Sequence, residues 1–378
     1  MAFVIGTSVI LKRMVTSMTR LGGWFAAVDR IDKLYWQRDP VMTNDNHLTF
    51  RQFMLREYRA HGTSKDLIFL LEDIATACRT ISHKIRSGAF AGTLGATEDT
   101  NVQGETQKEL DVIANDQFML HCANCSRVAA LVSEELDNVV WLKDKAEAGD
   151  YIVYFDPLDG SSNLELNISV GSIFSIVELK APLAELTDEA VLIAGTEQIC
   201  AGYSLYGPST SLVVTTGHGV NGFTHLNGTG EFLLTFPDMA VPVSTQEYAI
   251  NASRQNYWDA PVQRYVSECL QGADGPRGKK FNMRWVASMV AEVHRILTRG
   301  GVFMYPRDSD NAPMGGRLRL LYEANPMAFI IEQASGKATI GGGRIMDVDP
   351  SSLHQRVGVL LGSAEEVDLL EAYYAEAQ

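Results

Sequence analysis

Hydrophobic residues recur along the chain with two different spacings, and each spacing predicts a different kind of element. Between Leu67 and Ile85 they recur every three or four residues, which is the period of one buried face of an α-helix. This helix is predicted to end near Gly88, because glycine commonly follows the last helical turn. The same period predicts further helices over residues 107–125, 282–299, 325–334 and 365–377.

Short continuous apolar runs, rich in β-branched and aromatic residues, predict buried strands. These runs occupy residues 128–132, 151–155, 168–179, 198–206, 212–216, 231–236, 302–305 and 318–322. The Gly- and Thr-rich stretch 89–104 predicts a loop between the first two helices. Helices and strands in this mixture indicate an α/β (α+β) protein with mixed sheets.

The length of 378 residues allows about two domains or one large α/β unit. Composition marks no flexible linker, so we predict two tightly packed halves, 49–240 and 241–378. Residues 1–48 are predicted to be a poorly ordered N-terminal extension. Residues 1–28 lack Asp and Glu, which would also suit a targeting segment, and a later start at Met42 is a third interpretation.

The formal net charge of −14 argues against a nucleic-acid partner, because binding to the phosphates of a duplex needs clustered Lys and Arg. It does not argue against small phosphorylated substrates, which respond to local charge. No apolar run reaches the length of about 18 residues that a membrane span needs. We therefore expect a cytoplasmic protein with no membrane partner.

The chain has 5 cysteines, an odd number that does not suit a secreted disulfide framework. Cys122 and Cys125 form a C-x-x-C pair, but no second pair follows at the spacing of a zinc site. All five are expected to be buried or semi-buried thiols.

Carboxylates follow three of the predicted strands. They are Glu134 with Glu135, Asp156 with Asp159, and Glu323. Open α/β sheets bind ligands in the crevice at their strand ends, so these side chains are expected to meet there. Clustered carboxylates repel one another unless a cation joins them, and Mg²⁺ prefers oxygen ligands. The pattern predicts a magnesium site.

Segment 156–163, Asp-Pro-Leu-Asp-Gly-Ser-Ser-Asn, combines metal ligands with phosphate donors. Pro157 restricts the backbone and predicts a rigid turn directly after Asp156. Gly160, Ser161 and Ser162 offer successive N–H groups that can bind an anion. The segment could instead be a turn with capping carboxylates, but Glu134 and Glu135 just upstream favour the metal site.

Segment 156–163 closely resembles the signature of class 1 fructose-1,6-bisphosphatases, a family of lithium-sensitive, metal-dependent sugar phosphatases. Further stretches similar to this family follow in its order, at 101–104, 110–112, 133–135, 168–171, 288–290, 318–323 and 325–327. The resemblance covers residues 49–362. It implies a layered fold with mixed sheets sandwiched between helices, a metal site in the first half and a sugar and 6-phosphate site in the second.

The resemblance also implies residue roles. The implied metal ligands are Glu134, Glu135, Asp156, the Leu158 carbonyl, Asp159 and Glu323. The implied cofactor is Mg²⁺, about two to three ions per active site, with Mn²⁺ or Zn²⁺ as substitutes. Asp111 and Glu135 correspond to the carboxylates that activate water, and Glu105 to an assisting acid in the preceding loop. Asp111 and Glu105 could instead be acidic residues that stabilise a helix N-terminus.

The implied substrate contacts lie at two ends of one sugar bisphosphate. They are Asp159, Gly160, Ser161 and Ser162 at one end, and Asn251, Arg284, Tyr305 and Arg317 at the 6-phosphate end. The resemblance implies that Arg284 reaches across from a neighbouring subunit, and hence a homotetramer. Arg284 could instead be a solvated helix residue, and Tyr305 a core residue.

Three positions depart from the family pattern at the 6-phosphate end. Arg317 stands where Lys is usual, and Trp285 and Arg254 stand where Tyr is usual. A guanidinium binds as a planar fork rather than as a point charge, and Trp285 lacks the hydroxyl of Tyr. Arg254 could compensate with its charge.

The leading hypothesis is hydrolysis of the 1-phosphate of fructose 1,6-bisphosphate to fructose 6-phosphate, in carbohydrate metabolism such as gluconeogenesis. The altered phosphate pocket makes a dual fructose-1,6-/sedoheptulose-1,7-bisphosphatase the close alternative. Inositol monophosphatase-like activity is disfavoured, because Arg284, Leu318 and Arg319 have no clear role in it. A catalytically inactive sugar-phosphate-binding regulator is the alternative from another class, and the full set of metal carboxylates disfavours it.

Overall fold

The structure is a computed structural model and describes residues 48–91, 96–100 and 106–377. These residues belong to one unit of the chain, Asn46–Gln378. Of the predicted N-terminal extension, only Leu48 lies within the described residues. Leu48 is buried and its carbonyl accepts a hydrogen bond from the Leu234 N–H, so it belongs to the fold rather than to an extension.

The described residues form helices and strands, with a long run of consecutive strands in the middle of the chain. The helices are α1 Phe50–His61, α2 Lys65–Ala91, α3 Glu109–Cys122, α4 Ala260–Leu270, α5 Met289–Arg299, α6 Asn325–Gln333 and α7 Ala364–Glu376. The strands are β1 Ala96–Thr100, β2 Thr106–Lys108, β3 Val128–Ser133, β4 Val140–Trp141, β5 Tyr151–Asp159, β6 Val170–Glu178, β7 Gln198–Tyr206, β8 Thr210–Thr215, β9 Asn221–Leu226, β10 Glu231–Phe236, β11 Glu247–Ile250, β12 Asn282–Met283, β13 Val302–Tyr305, β14 Leu318–Arg319, β15 Lys337–Thr339, β16 Arg356–Val357 and β17 Val359–Gly362.

Two larger sheets organise these strands. The first has eight strands in the order β10-β9-β8-β7-β6-β5-β3-β4, and the second has five in the order β12-β11-β13-β17-β15. In the first, β3 and β5 pair in parallel, whereas β5 to β10 pair as antiparallel neighbours. In the second, β11 is parallel to β12 and β13, and β17 is antiparallel to its neighbours. Both sheets are therefore mixed.

Alternating side chains on each strand divide the core into layers. On β6, Phe174 packs towards α1, α2 and α3, whereas its neighbour Ile173 packs towards α5 and α6. On β13, Phe303 faces the same middle layer, whereas Met304 packs against α4 and α7. Helices thus cover both outer faces and fill the space between the sheets. The predicted layered α/β fold is confirmed.

Some predicted elements are corrected. Helix α2 continues past Gly88 to Ala91, and residues 96–100 of the predicted loop form a strand paired with β2. The helix predicted over 282–299 begins only at Met289, where Ser288 caps it with a hydrogen bond to the Ala291 N–H. Ser288 is a residue type that favours this capping position, and it marks the start better than the apolar period does.

The five cysteines are free thiols, four buried and Cys125 partly buried, as predicted. In the described part of the chain, no helix combines the length and the apolar character needed to cross a membrane. The predicted boundary between halves near residue 240 stays a prediction.

We expect Gly171→Ala to destabilise the fold, because Gly171 lies where three elements meet. It pairs with Asp159 on β5, and a Cβ there would overlap the Ser204 carbonyl and the Val290 side chain. The loss in free energy of unfolding should be about 3 kcal/mol, measured by urea denaturation. Gly228→Ala is the control, since a Cβ at Gly228 meets no atom within 4 Å. Equal stability of the two variants would contradict this packing.

Candidate active site

A cavity of about 490 Å³ lies where the two sheets and α5 meet. Its lining combines carboxylates, a segment of glycine and serine residues, and aromatic side chains. It is lined by Asp111, Glu134, Glu135, Asp156, Leu158, Asp159, Gly160, Ser161, Ser162, Asn251, Trp285, Ala287, Ser288, Met289, Phe303, Tyr305, Arg317, Leu318, Arg319 and Glu323. All predicted site residues line this cavity except Glu105 and Arg284. Glu105 lies outside the described residues.

Three carboxylates from two segments, strand β5 and residues 320–324, converge at the floor of the cavity. One oxygen each of Asp156, Asp159 and Glu323 lies within 4.8 Å of the others, and all three residues are buried. Burial raises the pKa of Asp156 well above its usual range, and the nearby Glu134 adds to the effect. Such a set of buried hard oxygen donors can hold a divalent cation.

Asp156 and Asp159 share one cavity because β5 carries a bulge between them. In a regular strand, residues three apart face opposite sides. Here Asp156 pairs with Ile173 and Asp159 with Gly171, so the register shifts by one residue. The rigid turn predicted at Pro157 is therefore wrong. The strand continues to Asp159, because Asp159 pairs again with Gly171 on β6. The Ser172 hydroxyl donates to the Pro157 carbonyl and the Asp156 carboxylate accepts the Leu158 N–H, and these two bonds hold the bulge.

Glu323 reaches the cavity from a π-helical turn rather than from the end of a strand. The strand predicted over 318–322 stops at Arg319, and residues 320–324 form a single π turn leading into α6. The Glu323 carboxylate accepts the Arg319 backbone N–H at 2.6 Å. The turn inserts an extra residue into the helical start, an irregularity that is common at functional sites. Burial raises the pKa of Glu323 to about 8.

The N-terminus of α5 orients Asp159. One oxygen of its carboxylate, Oδ2, accepts both the Ser288 hydroxyl at 2.9 Å and the Val290 N–H at 3.0 Å. Burial raises the pKa of Asp159 to about 6, although the Val290 N–H and the Ser288 hydroxyl act in the opposite direction. The helix dipole also favours an anion here. With Oδ2 held in this way, Oδ1 is the oxygen available to a ligand.

Arg319 is a buried cation beside the carboxylates, and it is not among the site residues predicted from the sequence. Its Nη2 lies 2.7 Å from Glu134 Oε1, and its Nη1 lies 3.7 Å from Glu323 Oε2. The sequence does contain a signal for this role: Arg319 is a charged residue inside an apolar run, four residues before Glu323. Arg319 offsets part of the negative charge of the site.

Asp111 and the paired glutamates belong to elements that are tied together. Asp111 is buried in the first turn of α3, and Asn115 lies one turn further along. The Ser133 hydroxyl at the end of β3 donates to the Asn115 side chain at 2.7 Å. This bond holds α3 against Glu134 and Glu135, the residues that follow Ser133. Asp111 is therefore both a helix N-terminal acid and a cavity-lining group.

Aromatic side chains form the cavity wall contributed by the second sheet. Trp285 stacks on Phe303 with ring centroids 6.1 Å apart, and Tyr305 lies 5.8 Å from Trp285. Tyr305 therefore lines the cavity and also packs against Trp285. The Asn251 amide oxygen accepts hydrogen bonds from Ser253, so its amide nitrogen is the donor it offers a ligand.

The proposed compensation by Arg254 is corrected. Its guanidinium binds Asp308 in a fork at 3.1 Å and Asp310 at 2.7 Å, and it lies over the Tyr257 ring. These carboxylates offset its charge, and it is not among the described residues that line the cavity.

Arg284 is not among the described residues that line this cavity. It follows β12 directly and is not a helix residue, which corrects that alternative. Its side chain is half exposed, and its Nε lies 3.6 Å from Glu247 Oε1. Its predicted contact with a neighbouring subunit stays a prediction.

Comparisons with known proteins match almost all of the described fold. Residues 48–237 match the family model described as fructose-1-6-bisphosphatase, N-terminal domain, and residues 241–375 match that of the C-terminal domain. The class 1 fructose-1,6-bisphosphatase of Methylobacillus flagellatus is 52% identical over 328 residues, which is 87% of this chain and 98% of that protein.

Solved structures of fructose-1,6-bisphosphatase match the fold of this chain as well. The holo form of Leishmania major fructose-1,6-bisphosphatase is 36% identical with a TM-score of 0.80, and its T-state is 34% identical with a TM-score of 0.76. Each match covers 87% of this chain and 99% of the other. Fold and site thus define a phosphatase, an enzyme that hydrolyses phosphoric monoesters. The chain belongs to the fructose-1,6-bisphosphatase family.

Without divalent cations, Glu323 should make the folded protein less stable as the pH rises. Burial raises its pKa from 4.5 to about 8, so between these values the folded state holds a proton that the unfolded state has lost. Its contribution is complete below 4.5 and is lost as the pH rises through about 8. Urea denaturation in EDTA should show a steeper fall in the free energy of unfolding for the unmodified chain than for Glu323→Gln.

Two controls accompany this experiment. Mg²⁺ should restore stability at the upper end of the range, because a cation replaces the proton. Parallel pH profiles for the two proteins in EDTA would show that Glu323 titrates as an ordinary carboxyl group.

Proposed function

We propose that this chain hydrolyses the 1-phosphate of fructose 1,6-bisphosphate to fructose 6-phosphate and inorganic phosphate. The observation that carries the proposal is the set of converging carboxylates of Asp156, Asp159 and Glu323 beside the phosphate donors of segment 160–162, in one cavity. The 52% identity to a class 1 fructose-1,6-bisphosphatase over nearly its whole length supports the same reaction.

The donor set fits Mg²⁺, since it consists of hard oxygen ligands. The pKa values of Asp156, Asp159 and Glu323 are raised, and a bound cation would lower them by stabilising the charged carboxylates. The residues proposed to hold about two to three ions are Glu134, Glu135, Asp156, the Leu158 carbonyl, Asp159 and Glu323. When bound, Mg²⁺ neutralises phosphate charge and makes a bound water more acidic. Mn²⁺ or Zn²⁺ could occupy the same oxygen set.

The protein's own groups then act on the phosphate and on the attacking water. Asp111 and Glu135 line the same cavity and can accept the proton of the water as it attacks in line. Glu105 is proposed to assist them. The backbone N–H groups and hydroxyls of Ser161 and Ser162 can donate to the phosphate oxygens. Arg319 contributes positive charge on the same side.

The opposite end of the cavity is proposed to hold the 6-phosphate. Asn251, Tyr305 and Arg317 line it and can all donate hydrogen bonds. Arg284 of a neighbouring subunit is proposed to complete it, which requires an oligomer, a homotetramer by resemblance. The half-exposed Arg284 supports this, because its guanidinium is presented outside its own cavity. A cytoplasmic location, with a sugar bisphosphate and no nucleic acid or membrane as partner, completes the proposal.

We expect Asp111→Asn and Glu135→Gln each to lower kcat about 100- to 10,000-fold, because each removes a proton acceptor. Phosphate release from fructose 1,6-bisphosphate with Mg²⁺ measures this. Glu109→Gln is the matched control, since Glu109 is an exposed acid in the same helical turn. Unchanged kcat in Asp111→Asn and Glu135→Gln would overturn the base assignment, and an inactive unmodified protein would overturn the function.

A dual fructose-1,6-/sedoheptulose-1,7-bisphosphatase is the second candidate. The observation that favours it lies in the aromatic wall, where Trp285 provides no hydroxyl, while Arg254 is held by Asp308 and Asp310. Fewer fixed donors at this end reduce discrimination between bisphosphates of different length.

We expect fructose 1,6-bisphosphate to be preferred, and Trp285→Tyr to raise this preference about tenfold, because a hydroxyl can donate to the 6-phosphate. The ratio of kcat/KM for the two bisphosphates is the measurement. Trp141→Tyr makes the same exchange on β4, outside the cavity, and should leave the ratio unchanged. Equal kcat/KM values for the two sugars in the unmodified protein would establish the dual activity instead.

A further inference from the structure

The Asn163 side chain connects the two sides of the active site without lining the cavity. It is buried in a 3₁₀ helix, Ser161–Leu166, directly after the phosphate-facing serines. Its amide nitrogen donates to two successive carbonyls, those of Val286 and Ala287, each at 3.2 Å. Its backbone is held as well, since its N–H donates to the Gly160 carbonyl at 2.8 Å.

The residue that Asn163 holds has an unfavourable backbone conformation. Ala287 has φ +61°, in the left-handed region that residues with a Cβ rarely adopt. This conformation costs about 1–2 kcal/mol and persists only where the surroundings enforce it. The Val286 N–H donates to the buried Glu292 at 2.7 Å, so one side of the turn is held by its own helix. The carbonyl side is held by Asn163.

Residues on both sides of Ala287 act in the site. Two positions before it, Trp285 stacks on Phe303 in the aromatic wall. One position after it, the Ser288 hydroxyl donates to Asp159, and α5 begins. The direction of the chain at Ala287 therefore sets where both groups lie.

A close backbone approach makes this geometry sensitive to small shifts. Gly160 has φ +74°, and a Cβ on it would lie 2.9 Å from the Ser288 Cβ. Segment 160–163 and segment 286–288 thus touch at one end through Gly160 and Ser288, and are hydrogen-bonded at the other through Asn163. A movement of the Ala287 turn would separate Ser288 from Asp159.

We propose that Asn163 is a positioning residue: its amide holds Ala287 in the left-handed turn, and so places Trp285 for the sugar and Ser288 for Asp159 at the same time. This role deepens the proposed function, on which its kinetic readout rests. Asn163 touches neither the sugar nor the metal. It acts through the backbone of residues 286–288.

The test uses Asn163→Ala in the full chain, with two measurements. KM for fructose 1,6-bisphosphate reports the Trp285 side, and the Kd for Mn²⁺ by isothermal titration calorimetry reports the Asp159 side without turnover. Both should rise about 10- to 100-fold, the usual effect of losing a group that orients ligands. Adding Ala287→Gly should recover most of both losses, because glycine adopts a positive φ without strain.

Asn221→Ala is the matched control. Asn221 is also buried, and its side chain also supports a residue with positive φ, accepting the N–H of Asp238 at φ +48°. It lies on β9 and does not line the cavity. We expect Asn221→Ala to lower the Tm while leaving KM and the Mn²⁺ Kd unchanged.

A merely structural role would give a different result. If Asn163→Ala lowers the Tm but changes KM and the Mn²⁺ Kd no more than Asn221→Ala does, or if Ala287→Gly recovers neither, the proposal is overturned. Should Asn163→Ala fail to fold, Asn163→Ser, which keeps one shorter donor, is judged by the same two measurements. If the unmodified chain binds Mn²⁺ but releases no phosphate, the proposed function fails, while the Mn²⁺ Kd still decides the role of Asn163.

Discussion

Mutual repulsion among buried carboxylates is the constraint on which the rest of the site depends. Glu134, Asp156, Asp159 and Glu323 are all buried around one cavity, and oxygens of three of them lie within 4.8 Å of one another. Like charges in a poorly solvated site cannot all ionise without compensation. Arg319 supplies part of that compensation, and burial raises the pKa values of Asp156 and Glu323, which favours the forms of these groups that carry protons. A divalent cation can replace those protons, which couples metal binding to the stability of the fold.

Bringing these acids together requires departures from regular secondary structure. A bulge in β5 turns Asp156 and Asp159 to the same side, and a π turn carries Glu323 to them. Ala287 adopts a left-handed conformation beside the start of α5. Each departure has a side-chain partner that supports it, such as Ser172 at the bulge. Irregular backbone is expected where function rather than folding sets the geometry.

The two ends of the cavity differ in how strongly the structure defines them. The acidic end is built from buried groups held by hydrogen bonds, such as the Arg319 N–H to Glu323 at 2.6 Å and the Val290 N–H to Asp159 at 3.0 Å. The other end is built from an aromatic wall and from Arg317, whose side chain is exposed. Arg254 illustrates the difference, because its guanidinium pairs with Asp308 and Asp310 and does not line the cavity.

The sequence by itself determined the elements whose signals are local and the chemical types of the site groups. Strands β7 and β13 match their predicted bounds, because continuous apolar runs record burial directly. The convergence of Asp156, Asp159 and Glu323 was expected from the sequence, because carboxylates that follow buried strands meet in one crevice of the sheet. The tertiary structure decided the bulge, the π turn, the partners of Arg254 and the role of Arg319. These depend on contacts between distant segments, such as that of Asn163 with Ala287, which are 124 positions apart. Such a hydrogen bond leaves no periodic trace in the sequence, since it forms only when the two segments pack together.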